Sequence, residues 1–123
     1  MKGEVGNDLR QRTFEFAVRV VKLCRGLEET PGVSRLLAHQ LLRSGTSVGA
    51  NVEEGHASQS KADFTSKYSI ACKEARETHY WLRLLVSSEM LPDHRLADLT
   101  DEANQLVAIL TSIVKKTRGK SEG

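Results

Sequence analysis

The sequence has few of the residues that interrupt helices or form hairpin turns. Its 123 residues include only two prolines and neither an Asn-Gly nor an Asp-Gly pair. Because these pairs are the usual residues of short β-hairpin turns, their absence argues against an all-β fold. No apolar run approaches the roughly 18 residues that cross a bilayer, and the first residues contain no apolar signal core. We therefore expect a cytoplasmic protein.

Cysteines and aromatic residues are also scarce. Cys24 and Cys72 lie within helical patterns and share no metal-ligand or CxxC spacing, so we interpret both as buried, reduced thiols. The composition, 39% hydrophobic and 28% charged, is that of an ordinary globular protein, and the length suits one domain. A net charge of +2 permits contact with nucleic acid without requiring it.

Four segments show the three- and four-residue spacing of apolar residues that is typical of amphipathic helices. We predict these helices at about residues 8–27, 33–54, 61–90 and 94–114. Short connections between long helices make each helix antiparallel to the one before it. The sequence therefore predicts an all-α, up-down-up-down antiparallel four-helix bundle over residues 1–114. Residues 115–123 are polar and basic, and we predict a flexible tail there.

Local residue types predict where the helices begin and end. Thr30 is a candidate N-cap of the second helix, with Pro31 in its first position. Gly55 lies where a left-handed residue would end that helix. Ser60 begins a Ser-x-x-Asp capping box, which marks the start of the third helix.

The second helix contains a run of small and polar residues over positions 43–51. Its two interior glycines, Gly45 and Gly49, each weaken a helix by about 1 kcal/mol relative to alanine, so some contact must offset them. They lie one turn apart and form a groove that a neighbouring helix can approach closely. Two interpretations stay open, packing within the bundle and packing against another subunit. The candidates to fill the groove within the bundle are Trp81, Tyr68 and Phe16.

The third helix carries a second stripe outside its core face. Ile70, Glu74, Glu77, Trp81 and Leu84 follow one another at helical spacing. Because aromatic residues are enriched at interface cores, this stripe favours a contact with another chain, and a wider core face is the alternative. The predicted packing or oligomer surface consists of Arg43, Ser44, Gly45, Ser47, Gly49, Asn51, Glu54, Gly55 and Trp81.

Patterns that would support catalysis are sparse. Thr46 and Ser47 have no recognisable base partner and no GxSxG elbow. A carboxylate-bridged metal pair in a bundle uses two Glu-x-x-His pairs and two further glutamates, and only Glu53 with His56 has this spacing. We therefore predict no catalytic residue, no metal and no cofactor, with a metal-dependent enzyme as a remote alternative. Glu53 or Glu54 is expected to pair with a base such as Arg43, Lys73 or Arg76.

Basic residues on the first helix and near the C-terminus are possible phosphate contacts. They are Arg10, Arg12, Arg19, Lys22, Arg25, Lys115, Lys116 and Arg118. The alternative is a solvated charged surface, since Glu15 interrupts the first-helix set.

Residues 40–82 contain an uncommon combination, a small and polar helix that ends in Asn-x-x-Glu-Gly and a Ser-capped helix directly after it. The residues that carry it are Arg43, Ser47, Asn51, Glu54, Gly55, Phe64, Ala71 and Glu77. With this pattern the chain resembles, over nearly its whole length, the bacterial four-helix-bundle family first described as the 23S ribosomal RNA intervening-sequence protein.

The resemblance implies a homopentameric, barrel-like assembly of bundles around a central channel. A related branch, the accessory variability proteins of diversity-generating retroelements, is basic and binds nucleic acid and a reverse transcriptase. This sequence departs from that branch in its charge of only +2. We expect a non-enzymatic homo-oligomeric scaffold or adaptor whose main partner is itself, and a nucleic-acid-binding accessory protein is the alternative. No membrane contact and no small-molecule substrate are expected.

Overall fold

The computed structural model describes the backbone of residues 2–122 and the side chains of residues 8–119. Within these residues the chain forms four helices and no strand. The helices are α1 (Lys2–Glu28), α2 (Val33–Ala57), α3 (Lys61–Ser87) and α4 (Asp93–Glu122). Each helix packs along its neighbour in the chain, whereas α1 touches α4 over a short stretch. The predicted antiparallel four-helix bundle is confirmed.

The core consists of the apolar faces that the residue spacing predicted. Buried residues on α1 follow one another at steps of three or four from Leu9 to Leu27, and α4 has the same spacing from Leu96 to Val114. The largest side chains that are fully buried are Phe16, Leu41, Leu82, Leu85, Leu96, Leu106 and Leu110. Burial of each such side chain contributes about 1.5–3 kcal/mol relative to exposure, so the bundle is held mainly by these faces. Among the described helices, none combines the length and the apolar character needed to cross a membrane.

The connection between α1 and α2 differs from the prediction. Thr30 does not cap α2 and Pro31 is not its first residue, because α2 begins after Gly32, whose φ is 94°. No side chain caps this end. Instead, Ser34 Oγ donates a hydrogen bond of 2.7 Å to the carbonyl of Leu27. This bond satisfies one of the carbonyl groups that the end of α1 leaves without a helical partner.

The prediction that Gly55 ends α2 is wrong, because the helix continues to Ala57 with Gly55 inside it. Gly55 is required for packing, since an added Cβ would lie 2.6 Å from two ring carbons of Tyr68. The predicted start of α3 is confirmed. Ser60 Oγ accepts a hydrogen bond of 3.0 Å from the backbone N–H of Asp63.

The last helix continues past its predicted end. Residues 115–119 are helical, where the sequence pattern predicted a tail. Two contacts hold this segment to the bundle: Val114 is buried, and Arg118 Nη2 donates a hydrogen bond of 3.2 Å to Ser69 Oγ on α3. No proline follows Val114 to end the helix. The side chains of residues 120–123 lie outside the described residues.

Both cysteines are buried free thiols, as interpreted from the sequence. Cys24 Sγ donates a hydrogen bond of 3.4 Å to the carbonyl of Ala38, and Cys72 Sγ lies 3.2 Å from Thr111 Oγ1. Burial raises the pKa of Cys24 from its ordinary 9.0 to about 11. The buried site therefore favours the neutral thiol.

The raised pKa of Cys24 predicts a loss of stability at alkaline pH. As the pH rises from 9.0 towards 11, the unfolded chain releases the thiol proton before the folded chain does, so the free energy of unfolding falls. We expect a fall of about 1 kcal/mol between about pH 8 and about pH 10, measured by urea unfolding. The variant Cys24→Ala should lack this component, while Tyr68, whose pKa burial also raises, is common to both proteins. Identical pH profiles would contradict the assignment to Cys24.

Candidate interaction surfaces

The glycines of α2 are used inside the bundle, where α1 packs on them. A Cβ added at Gly45 would lie 2.7 Å from Val20 Cγ1, and one added at Gly49 would lie 3.2 Å from the carbonyl oxygen of Thr13. The interpretation of this groove as a contact between subunits is therefore wrong at both glycines, because α1 of the same chain already fills it. The residues that fill it are Val20 and Thr13 and not the aromatic residues expected.

The polar residues around the glycines bond within the chain. The hydroxyls of Ser44 and Thr78 are hydrogen-bonded at 2.9 Å in the buried contact between α2 and α3. Ser47 Oγ donates to the carbonyl of Arg43 at 2.6 Å, and Asn51 Nδ2 donates to the carbonyl of Ser47 at 2.8 Å. Bonds of this kind to the preceding turn are typical of serine and asparagine inside helices. These residues therefore have structural roles in the fold.

Arg43 and three residues of α3 form a cluster at the surface between α2 and α3. We name Arg43, Glu74, Glu77 and Trp81 the Arg43 cluster. Arg43 Nη2 is paired with Glu77, and its Nη1 lies 3.5 Å from the Glu74 carboxylate. Trp81 Nε1 donates to Glu77 Oε2 at 3.0 Å, and its ring meets that of Tyr80 edge-on. Trp81 is half-buried and packs against the core, so it widens the core face.

The glutamates at the end of α2 pair with basic side chains, but with Arg10 and Lys67 and not with the Arg43, Lys73 or Arg76 expected. Glu53 accepts a hydrogen bond of 3.1 Å from Arg10 Nε, and Glu54 lies 3.1 Å from Lys67 Nζ. His56 is exposed. Across the described residues, no group of three or more histidine, cysteine, aspartate and glutamate side chains is placed to hold a metal ion.

Arg12 connects α1 with α4. Its Nε donates to Glu102 Oε2 at 3.0 Å, and its Nη2 donates to Glu102 Oε1 at 2.7 Å and to Gln105 at 3.2 Å. Donating these hydrogen bonds to the Glu102 carboxylate raises the pKa of Arg12. Two of the predicted phosphate contacts, Arg10 and Arg12, are thus engaged with carboxylates of their own chain.

The pair of Arg12 and Glu102 should show measurable energetic coupling. Two parallel hydrogen bonds between half-buried charged groups are stronger than a single exposed contact, so we expect a coupling energy of about 1 kcal/mol. A double-mutant cycle of Arg12→Ala and Glu102→Ala, followed by urea unfolding, measures it. The matched control is the more exposed pair of Lys67 and Glu54, for which we expect about 0.3 kcal/mol. Equal coupling in both cycles would contradict this ranking.

Other predicted phosphate contacts have no carboxylate partner among the described side chains. This group consists of Arg19, Lys22, Arg25, Lys115 and Lys116. Three of them lie on the second half of α1. Arg118, in contrast, is held by Ser69.

A line of exposed apolar residues on α1 was not found from the sequence. Phe14, Val18 and Val21 are 60%, 37% and 38% exposed and follow one another at steps of four and three, so they lie on one side of the helix. We name them the α1 stripe. The spacing of three and four residues that predicts the core face of α1 also picks out this second line. That spacing is the sequence signal that could have revealed the α1 stripe. Val33 and Leu36, at the start of α2, are exposed to 65% and 66%.

The comparison with known families agrees with the fold and with the residue pattern of α2 and α3. The model of the family described as 23S rRNA-intervening sequence protein matches residues 6–112. The chain belongs to this family. The resemblance inferred from the pattern of α2 and α3 is confirmed.

A solved structure of a similar protein supports the fold. It is a protein of unknown function from the S23 ribosomal protein family of Bacteroides thetaiotaomicron, with 40% sequence identity and a TM-score of 0.81. The alignment covers 89% of this chain and 97% of that chain. No curated protein matches the chain. The family match includes the α1 stripe and the Arg43 cluster, whereas Lys115, Lys116 and Arg118 lie beyond its last residue.

Proposed function

We propose that this protein is a non-enzymatic, homo-oligomeric scaffold or adaptor of the cytoplasm. The exposure of the α1 stripe carries the proposal. The core face of α1 is buried and does not include the α1 stripe, so packing within one bundle does not explain this second line of apolar residues. Scattered exposed apolar residues are ordinary, but an aligned set that includes a phenylalanine is typical of a contact surface. The two free thiols fit a reducing compartment.

The exposed residues of α2 and α3 give further support. Leu36 is among the most exposed large apolar side chains, and Tyr80, whose ring contacts that of Trp81, is 48% exposed. Aromatic side chains of this kind are enriched at the centres of protein interfaces. We propose five copies in the assembly, because the family resemblance implies a pentamer.

The mass of the purified protein in solution tests the proposal. Light scattering during size-exclusion chromatography should give the mass of five copies of the 13.6 kDa chain. The variant Phe14→Glu should reduce the mass, because it places a charge in the α1 stripe. The matched control Asn104→Glu, at an exposed position of α4, should leave it unchanged. A monomeric wild-type protein at micromolar concentration would contradict the proposed function.

A second candidate function is a nucleic-acid-binding accessory protein. The observation that favours it is a set of cations on α1 with no carboxylate partner among the described side chains, namely Arg19, Lys22 and Arg25. Binding through them should weaken steeply with salt, because neutralised phosphates release counterions.

Titration with labelled RNA and DNA at several salt concentrations tests this second candidate. Replacement of all three cations by alanine should reduce the slope of log K against log salt by roughly 2 to 3. The control Lys61→Ala, at an exposed position of α3, should reduce it by less than 1. Absence of binding at about 50 mM salt would exclude the candidate.

A further inference from the structure

We propose that Arg12, Glu102 and Gln105 form a clamp between the first and last helices, and that α1 leaves the bundle as a unit when this clamp opens. We name these three residues the Arg12 clamp. The motion is a property of a single chain and does not depend on the proposed oligomer. It would expose the core side of α1 while α2, α3 and α4 stay packed together.

The order of the helices makes the contact between α1 and α4 the shortest lateral contact of the bundle. The two middle helices, α2 and α3, each pack on a neighbour along both sides. The two outer helices each have one such neighbour and touch each other over a short stretch. Local opening of a protein is favoured where the fewest contacts must be broken. Separation is therefore expected between α1 and α4 before it occurs elsewhere.

The Arg12 clamp crosses this contact. Arg12 donates three hydrogen bonds to α4, two to the carboxylate of Glu102 and one to the amide oxygen of Gln105. The paired side chains of Arg12 and Glu102 are both half-buried. Charge-assisted hydrogen bonds are stronger than neutral ones, particularly where water is partly excluded. The clamp therefore stabilises the closed position of α1.

Apolar packing on the clamp side of the two helices is incomplete. Leu23 follows Arg12 by eleven residues, which is three turns, so it lies on the same side of α1. Ile109 follows Glu102 by seven residues, or two turns, and lies on the clamp side of α4. Both side chains pack against the core but are only half-buried. A polar clamp therefore supplements an apolar contact that leaves part of these side chains exposed.

The contacts on the other side of each outer helix indicate that α1 leaves more readily than α4. At two of its contacts with α2, α1 meets Gly45 and Gly49, which have no side chain to bury against it. The last turns of α4 are instead tied to α3 by a hydrogen bond of 3.2 Å from Arg118 to Ser69. Separation of α1 from α2 therefore exposes less side-chain surface of its neighbour, and α4 has an additional polar contact.

The two cysteines of the chain can report on this motion. Cys24 lies between α1 and α2, where its thiol donates to the carbonyl of Ala38. Cys72 lies between α3 and α4, where its thiol is 3.2 Å from the hydroxyl of Thr111. Both are buried in the closed bundle. Release of α1 would expose Cys24 and leave Cys72 buried, whereas global unfolding would expose both.

The rates at which iodoacetamide labels the two thiols test the motion in the wild-type protein. Mass spectrometry of peptides measures each rate, and division by the rate of the same thiol in the urea-unfolded chain removes differences in intrinsic reactivity. Cys24 should be labelled at least about tenfold faster than Cys72 on this scale. Equal normalised rates would mean that only global unfolding exposes the thiols. Faster labelling of Cys72 would mean that α4 leaves first, and either result would overturn the proposal.

Variants at the Arg12 clamp test its role. Arg12→Met keeps an unbranched aliphatic side chain but removes the hydrogen bonds, so labelling of Cys24 should become about fivefold faster. Arg12→Glu should accelerate it as well, and addition of Glu102→Arg should restore a rate within about twofold of the wild type. An unchanged Cys24 rate in Arg12→Met would contradict the clamp.

Gly55→Ala is the matched control, because it strains a contact that persists when α1 leaves. Its Cβ would lie 2.6 Å from two ring carbons of Tyr68, in the contact between α2 and α3. This variant should label faster at Cys72, which requires global unfolding, and at an unchanged rate at Cys24. Equal acceleration of both thiols would overturn a separate motion of α1. Light scattering on the same samples reports the oligomeric state, so a monomeric protein would contradict the proposed function and leave this result unaffected.

Discussion

Replacement of Gly49 by leucine is expected to lower the free energy of unfolding by about 2 to 3 kcal/mol. A Cβ at this position would lie 3.2 Å from the carbonyl oxygen and 3.3 Å from the carbonyl carbon of Thr13. These are backbone atoms of α1, so they cannot move aside by a side-chain rotation, and the whole helix must shift. Leucine favours helix over glycine by about 1 kcal/mol, which offsets only part of the cost. Urea unfolding followed by circular dichroism measures the difference.

The matched control is the same substitution at Gly26. This glycine lies within α1, and an added Cβ there would meet no atom within 4 Å. Gly26→Leu should therefore be neutral or should raise stability by up to about 1 kcal/mol, through helix propensity alone. A similar loss at both positions would show that the close contact between Gly49 and Thr13 does not limit packing.

The second large effect is expected at Gly45 and can be reversed by a compensating change. An alanine at Gly45 would place its Cβ 2.7 Å and 2.9 Å from the two Cγ atoms of Val20. Valine is β-branched and stiff, so rotation cannot remove both contacts, and we expect a loss of about 1 to 3 kcal/mol. Val20→Ala alone removes buried methyl groups and should cost about 2 kcal/mol.

The double variant Gly45→Ala with Val20→Ala should lose less free energy of unfolding than the two single variants lose together. The alanine at position 45 fills the space that the smaller residue at position 20 leaves, so the coupling energy should be about 1 to 2 kcal/mol in favour of the pair. A double-mutant cycle in urea measures it. Additive losses would mean that the two residues do not share one packing space.

These contacts change the argument for assembly. The glycines of α2 first suggested a groove for a second subunit, but their space belongs to α1, and Trp81 has its N–H satisfied by Glu77. The proposal of an oligomer now depends on Phe14, Val18 and Leu36, which have no such function within one bundle. Variants at the glycines therefore report on folding, while variants at these three report on association.

The helices and the core could be predicted from the sequence because both follow from the 3.6-residue turn of the helix. A helix turns every 3.6 residues, so apolar residues at steps of three and four must share a face. Phe16, Leu82 and Leu106 lie on the faces that this rule defines, and all are buried. Ser60 was assigned to a helix start by a bond that needs only residues within one turn, and that bond is present.

Two of the helix ends that were predicted wrongly lie at contacts between helices. Gly55 has the residue type of a helix end, yet it lies inside α2, where the ring of Tyr68 leaves no space for a Cβ. Residues 115–119 have the composition of a tail, yet Arg118 reaches Ser69 on α3 and the helix continues. Neither Tyr68 nor Ser69 is near its partner in the chain, so no local pattern contains this information.

The partners of the charged residues also depend on the register between helices. That Glu53 would pair with a base follows from composition, but the choice of Arg10 requires that the end of α2 lies beside the start of α1. Residue spacing within one helix determined which side each side chain takes. Contacts between helices, which depend on axial register and on the small residues that set interhelical distance, determined which side chains are satisfied within the bundle and which are left for a partner.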